Sequence, residues 1–326
     1  MTHLLLFRPT KHIMRGFRFL LIFAGLVIAL SGCRKESNVT LLGPDAVTVD
    51  EKSGSVVLSI QAIQDWTASA SDKWIKINPS SGTASEGPIE VTLSYGYNPL
   101  TEDRIGTVDI TAGKSHQSVA LKQKGRVVPP GGVNMGVSVI WAACNLGANK
   151  PEQRGDFFAW GESDSKLKTE QYPWFAYYNY KWIVPNSLYA QPKFTKYVFA
   201  STYGDFGEPD NLYTLEPEDD AAHVALGGAW RMPTEMEWYE LDANCDWTLT
   251  DTGFRLVSKI TQAVLFLPFS GYQTGDLVVN NQGWYWSSNI TGADVRFARM
   301  FHIGETFHEM RGEYREKGLT IRPVSD

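Results

Sequence analysis

Three groups of residues carry the chemistry this sequence can offer. The first is acidic. Glu216, Glu218, Asp219 and Asp220 form the densest run of carboxylates, and clustered oxygen ligands are what a calcium ion takes. Glu218, Asp219 and Asp220 are therefore candidate calcium ligands; the alternatives are a solvated loop or pairing with Arg231. The second group is aromatic. Tyr172, Trp174, Phe175, Tyr177, Tyr178, Tyr180 and Trp182 crowd one short stretch, with Asn179 and Lys181 among them. Exposed aromatics in a polar frame build glycan sites and protein hot spots, which makes Trp174, Tyr177, Tyr178 and Trp182 candidate ligand-binding residues. The same rings can instead pack a small local core that holds an insertion down. The third group is sulfur: Cys33, Cys144 and Cys245.

Catalytic motifs are sparse. Gly-x-Ser-x-Gly and His-Glu-x-x-His are both absent. His302 and His308 flank Glu305 as a candidate metal cluster, but the spacing fits no standard zinc signature. Paired carboxylates are plentiful, as they are in any acidic protein, and glycosidase pairs are defined by separation in space. Glu208-Pro209-Asp210-Asn211 resembles the sugar-specificity triplet of calcium-dependent lectins, yet it precedes the segment Trp230-Arg231-Met232-Pro233-Thr234, whereas in those lectins the triplet follows the second helix. The sequence is expected to be non-catalytic.

Cys33 has its own chemistry. Arg15 and Arg18 flank an apolar run from Phe19 to Leu30, too short for a membrane span of roughly 20 apolar residues and about right for a secretory leader. Leu30-Ser31-Gly32-Cys33 resembles a bacterial lipobox. The resemblance implies cleavage before Cys33 and acylation of its sulfur and new amino group; a plain secretory signal is the alternative, and Met14 offers an alternative start. More than one acyl chain anchors firmly. Arg34, in place of an acidic residue, points to the outer membrane, facing the cell surface or the periplasm. Loss of Arg8, Lys11, Arg15 and Arg18 with the leader takes the formal charge from −6 to about −10. So acidic a chain is a poor candidate for nucleic acid or anionic lipid surfaces. Export leaves Cys144 and Cys245 as an even pair in an oxidising compartment, either one disulfide or two separate buried thiols.

The elements that must position these groups divide the chain into a leader (residues 1–32), a tether (33–38), an all-β segment (39–125), a linker (126–132) and a larger domain (133–326). In the β segment Ala46–Val49, Ser55–Ile60, Ile89–Leu93, Gly106–Thr111 and Ser118–Leu121 alternate or are β-branched, and turn signals separate them, as in an immunoglobulin-like sandwich. Trp66, Trp74-Ile75-Lys76-Ile77, Pro79-Ser80-Ser81-Gly82, Asn98, Arg104-Ile105-Gly106-Thr107-Val108 and Leu121-Lys122-Gln123-Lys124-Gly125 follow in an order that resembles the BACON family. That family is a small β-sandwich found in many exported proteins of gut Bacteroidetes, and its name implies carbohydrate binding. Trp66 and Trp74 would either stack on sugar rings or fill the core.

Arg126-Val127-Val128-Pro129-Pro130-Gly131-Gly132 punctuates the chain as a linker. Beyond it, Thr234 and Glu237 make a capping box, with Met236, Tyr239 and Leu241 expected to turn inward. Met135 to Ala148, Gly155 to Glu162, Asp219-Asp220-Ala221-Ala222, Gly228 to Glu235, Leu267 to Tyr272, Gly283 to Ser288 and Ile321 to Val324 together resemble the Fibrobacter succinogenes major paralogous domain. That domain is similar in turn to C-type-lectin-like and formylglycine-generating proteins, and the resemblance implies an α+β lectin-like fold. The enzymes of that group depend on a late cysteine pair; neither Cys144 nor Cys245 is placed to supply one. The expectation is a lipid-anchored, outer-membrane binding protein for glycans, with calcium as its one candidate cofactor. The alternative is a structural or fimbrial accessory protein that binds a protein partner without a sugar site.

Overall fold

A computed structural model of the chain describes residues 37–165, 179–188, 192–204, 208–275 and 277–326. Alternating side chains between residues 39 and 123 fold as two facing sheets. In one, the strands Val39–Leu41, Gly54–Ala62, Ile89–Tyr95 and Ile75–Asn78 lie side by side. In the other the order is Ala46–Val49, Ser115–Gln123, Arg104–Ala112, Trp66–Ala70 and Ser81–Gly82, with the first pair parallel. Leu58, Ile60 and Ala62 face Val108, Ile110 and Ala112 across a dry core, each large aliphatic side chain stabilising the fold by roughly 1.5–3 kcal/mol. Trp66 lies in that core, 2% exposed. Trp74 packs at its edge with the Arg104 guanidinium 4.2 Å from its ring centre.

Several residues that carry the BACON resemblance do structural work. Gln123, fully buried, accepts from Arg104 Nε and Nη2 at 2.9 and 2.7 Å and donates to the carbonyls of Glu51, Lys52 and Gly96. Asn98, also fully buried, donates to Glu102 O and Lys124 O. Together they tie the loop around residues 96–103 to the ends of the sheets. Gly125 completes the turn: a side chain there would lie 1.8 Å from Thr101 O.

Beyond residue 126 the described residues are mostly β, with two short α-helices among them. The strands Gly132–Val133, Ile140–Ala142, Val324–Ser325 and Trp230–Arg231 form one sheet, so both ends of this region meet. Cys245–Thr250, Gly253–Ser258 and Val264–Pro268 form a meander, as do Gly283–Ile290, Phe297–Gly304 and Phe307–Tyr314. The Gly283–Ile290 strand divides two cores: Trp286 faces the cluster around Trp160 and Tyr197, and Tyr285 faces the one around Trp141 and Trp238. Helix α1 (Ala221–Leu226) starts at Asp220 and helix α2 (Glu235–Ala243) at Thr234, whose capping box with Glu237 is formed. Leu241 turns inward as expected, together with Trp238. Met236 (71% exposed) and Tyr239 (43%) do not, because Trp238 occupies the inner face.

The linker is not loose. Tyr97 Oη donates to Gly136 O at 2.6 Å, Asn134 Nδ2 to Pro99 O at 2.8 Å, and the Arg126 guanidinium to the carbonyls of Val137 and Ser138. The sandwich is thus fastened directly to the next region. Leaving a buried polar group unpaired costs about 1–3 kcal/mol. Gln123→Leu, which strands several groups at once, is expected to lower stability by about 2–4 kcal/mol in urea unfolding; an unchanged midpoint would show the network to be dispensable.

Candidate functional site

The site begins with Arg315, which is fully buried. Its Nε donates to Tyr180 Oη at 2.9 Å, Nη1 to the carbonyls of Tyr197 and Val295, and Nη2 to Lys196 O. Phe194 and Trp160 bring their ring centres within 4.7 and 5.0 Å of the guanidinium carbon. One cation therefore fastens the segments around Tyr180 and around Lys196–Tyr197 to the last strands. Asp210 fixes the same segment from outside, accepting the amides of Tyr197 and Val198 at 2.6 and 2.7 Å. That commits Asp210 to the backbone, so the lectin-like triplet around it does not present its carboxylate to a ligand.

On this frame stands a cluster of charge. Asp219, 2% exposed, accepts from Lys181 Nζ at 2.9 Å, Lys196 Nζ at 2.6 Å and Tyr197 Oη at 2.7 Å. Lys196 also contacts Glu216, and Glu218 at 3.8 Å. Burial pushes the Asp219 carboxyl up, but its bonds to Lys196, Tyr197 and Lys181 hold it below the usual carboxylate value. Burial works against the Lys196 ammonium, and its bonds to Asp219 and Glu216 raise it above its ordinary value.

This geometry revises the calcium expectation. One oxygen each of Glu216, Glu218 and Asp219 lies within 4.8 Å of the others, but the Lys196 ammonium sits among them as their cation. Asp220 is elsewhere: it caps α1, accepting from Ala222 N and His223 N, and it also accepts from Met232 N at 2.8 Å. Glu216 takes the place that the sequence assigned to Asp220.

Trp182 is the one candidate ligand residue among the described residues; Trp174, Tyr177 and Tyr178 lie outside them, as does Cys33. Its indole N–H donates to Gly161 O at 2.9 Å and its ring meets Tyr197 edge-on. Lys181 and Lys196 place their ammonium groups 4.2 and 5.3 Å from the ring centre. The ring is half-buried. It packs against the core while keeping part of its surface open.

The remaining candidates separate. Cys144 and Cys245 are free thiols. Cys245 is locked in the core around Trp238, where burial pushes its thiol up to about 12, and so buried a thiol is inert. His302 stacks on Trp284 at 3.7 Å and bonds Gln282, while His308 stacks on Trp247 and meets Asp242 at 2.8 Å. Burial pushes His302 down to about 4. The two rings have different partners and form no shared metal cluster with Glu305 among the described residues. Sequence reasoning missed Arg315 and Lys196, which sit in no periodic pattern and act only through folding, and it met Asp210 as part of a lectin-like triplet rather than as a backbone clamp.

Residues 37–126 match the family model described as viral BACON domain. The match covers the sandwich that the sequence motifs pointed to. No curated protein matches the sequence. Among solved structures, a Bacteroides ovatus GH5 xyloglucanase in complex with a XXXG heptasaccharide is 20% identical over 28% of this chain, at a TM-score of 0.26. The chain spans 20% of that enzyme's length. A protein from Bacteroides vulgatus ATCC 8482 is 26% identical over 28% of this chain and 94% of its own, at a TM-score of 0.19. No helix among the described residues is long and apolar enough to cross a membrane.

A lowered carboxyl pKa stabilises the fold fully above the unfolded value, near pH 4, and the benefit fades as acid passes through the lower native value. Asp219→Asn is expected to cost about 2 kcal/mol at pH 7, and the gap should narrow as pH falls below about 4. Urea unfolding of both proteins at pH 7 and pH 3 checks this; an equal gap at both would contradict it.

Proposed function

We propose that this chain is an exported, lipid-anchored, non-catalytic protein that recognises glycans at the outer face of the outer membrane. The leader and Leu30-Ser31-Gly32-Cys33 support the anchoring. The BACON match over residues 37–126 supports a role among carbohydrate-associated modules. The region beyond the linker we assign to the C-type-lectin-like class, because its early strand Ile140–Ala142 pairs with its last strand, and its described helices are few and short.

One observation carries the recognition reading: the setting of Trp182. A partly open indole, held by a buried frame, carries the ammonium groups of Lys181 (side chain 45% exposed) and Lys196 over its ring, and Lys196 in turn meets Glu218 (68% exposed). An aromatic surface next to alternating donors and acceptors suits a sugar, which offers C–H faces and hydroxyl edges together. The reading as an accessory protein for a protein partner also has specific support. Trp66 is spent on the core, and Asp219 is satisfied internally.

Soluble protein from Ser37 to Asp326 on a glycan array separates the two. Specific binding that the combined variant Trp174→Ala, Tyr177→Ala, Tyr178→Ala weakens at least about tenfold is the expected result, equal in calcium and in chelator because Lys196 supplies the cation. Absence of binding transfers the protein to the accessory reading, and binding lost in chelator would contradict the role given to Lys196. In cells, Cys33→Ser is expected to move the protein from the membrane fraction to the soluble one; retention in the membrane would count against lipid anchoring.

A further inference from the structure

The fastened joint between the sandwich and the following region borders a second space, away from Trp182 in sequence and built by other residues. The turn at Asn134–Ser138 is gripped from both sides. From the sandwich side come Tyr97, Pro99 and Arg126, through the bonds given above. From the other side, Ser258 Oγ donates to Met135 O at 2.6 Å, Thr261 Oγ1 donates to Asn134 O at 2.8 Å, and the Glu240 carboxylate accepts the Ser138 amide at 2.9 Å. Met135 and Val137 are buried in the core between these anchors. Both walls of the joint are thus fastened to the same turn.

Beside this turn lies a cleft of about 320 Å³. Glu51, Lys52, Ser53 and Tyr97 line it from the sandwich, Arg126 from the linker and Asp326 from the far side. Small-ligand sites fall in a range of roughly 300–1,000 Å³ and favour the junctions between domains. Rigid walls favour binding further, because little ordering remains to be done when a ligand arrives.

The lining chemistry narrows the ligand. The Tyr97 ring is 38% exposed, and its orientation is set by the hydroxyl's bond to Gly136 O. Arg126 gives two of its five N–H groups to carbonyls, so others remain for a ligand. Glu240, Glu51 and Asp326 all act on the Arg126 guanidinium, and Glu51 and Asp326 line the cleft with it. The Glu51 backbone is itself pinned, its carbonyl accepting from Asn98 N and Gln123 Nε2. Lys52 and Arg126 stand against Glu51 and Glu240, and Asp326 is shared with Arg231, so the cleft has no excess of positive charge to draw a phosphate or another anion. It offers donors, acceptors and one aromatic surface, the set that matches a neutral polyhydroxylated ligand.

We infer that the cleft at this joint is a saccharide subsite for one or two pyranose units, with Tyr97 as stacking platform and Glu51 as hydroxyl acceptor. The inference rests on the glycan-binding reading and adds a second, composite site to it. Both domains build the subsite, so the sandwich contributes to recognition through its edge loops rather than through Trp66.

Isothermal titration of the Ser37–Asp326 protein with cellotetraose, xylotetraose, mannotetraose and maltotetraose tests it. Ser53→Trp fills the mouth of the cleft from an exposed position, and Glu51→Gln removes the acceptor charge. Each is expected to weaken binding of the preferred sugar by at least about tenfold with an unchanged thermal midpoint. Wild-type affinity in both variants, with binding lost instead in the combined Trp174, Tyr177 and Tyr178 variant, would overturn the subsite and leave the glycan reading standing. No binding of any of these sugars by the wild-type protein would overturn both.

Discussion

The C-terminal region depends on a cation without water. A guanidinium buried as deeply as Arg315 carries a desolvation cost of several kcal/mol, so every N–H must find an acceptor. Here the acceptors are main-chain carbonyls of Lys196, Tyr197 and Val295 and the Tyr180 hydroxyl. Rings of Trp160, Phe194, Tyr180 and Tyr197 surround the charge, and contacts of this kind are worth most when water is excluded. Irregular backbone has carbonyls that no ladder satisfies. One arginine supplies their donors and so orders segments that contain little regular structure. Lys196 and Tyr197, carried on the same backbone, then meet Asp219, and Trp182 packs on Tyr197.

Arg322 repeats the device at the other end of the region. It is fully buried, donates to Asn145 Oδ1, Ala142 O, Ala143 O and Phe266 O, and burial lowers its pKa to about 10. The loop after Ile140–Ala142 is thereby bound to the Val264–Pro268 strand. Two arginines from the last dozen residues hold the first loop and the segments around Tyr180 and Lys196–Tyr197 in place, which makes the C-terminal segment the keystone of the region. A recognition surface needs such rigidity, because side chains that must be ordered on binding weaken it.

The sandwich was legible because its signal is local. Alternation in Ser55–Ile60 and Gly106–Thr111 marked strands that extend only a few residues further in the structure. The Thr234 capping box was legible for the same reason. The acidic run was ambiguous: its carboxylates suit a metal or an ammonium equally, and the lysines that decide the matter lie 38 and 23 residues from Asp219. The linker misled in a comparable way. Pro129-Pro130-Gly131-Gly132 reads as loose chain, but Tyr97, Arg126 and Asn134 fasten the regions through isolated side chains that leave no periodic trace. Helix α1 is apolar almost all round, with Val224 and Leu226 left exposed, so no polar face marks it; Asp220 as its cap is its local mark.

Arg315 holds the segments around Tyr180 and Lys196–Tyr197, on which Lys196, Tyr197 and Asp219 meet beside Trp182. Hydrogen–deuterium exchange of the wild-type protein and of Arg315→Met is the most direct measurement. The account predicts faster exchange in residues 179–204 and 208–219 of the variant, with the sandwich at residues 39–123 unchanged. Unaltered protection around Tyr180 and Tyr197, or an equal loss throughout the chain, would contradict it.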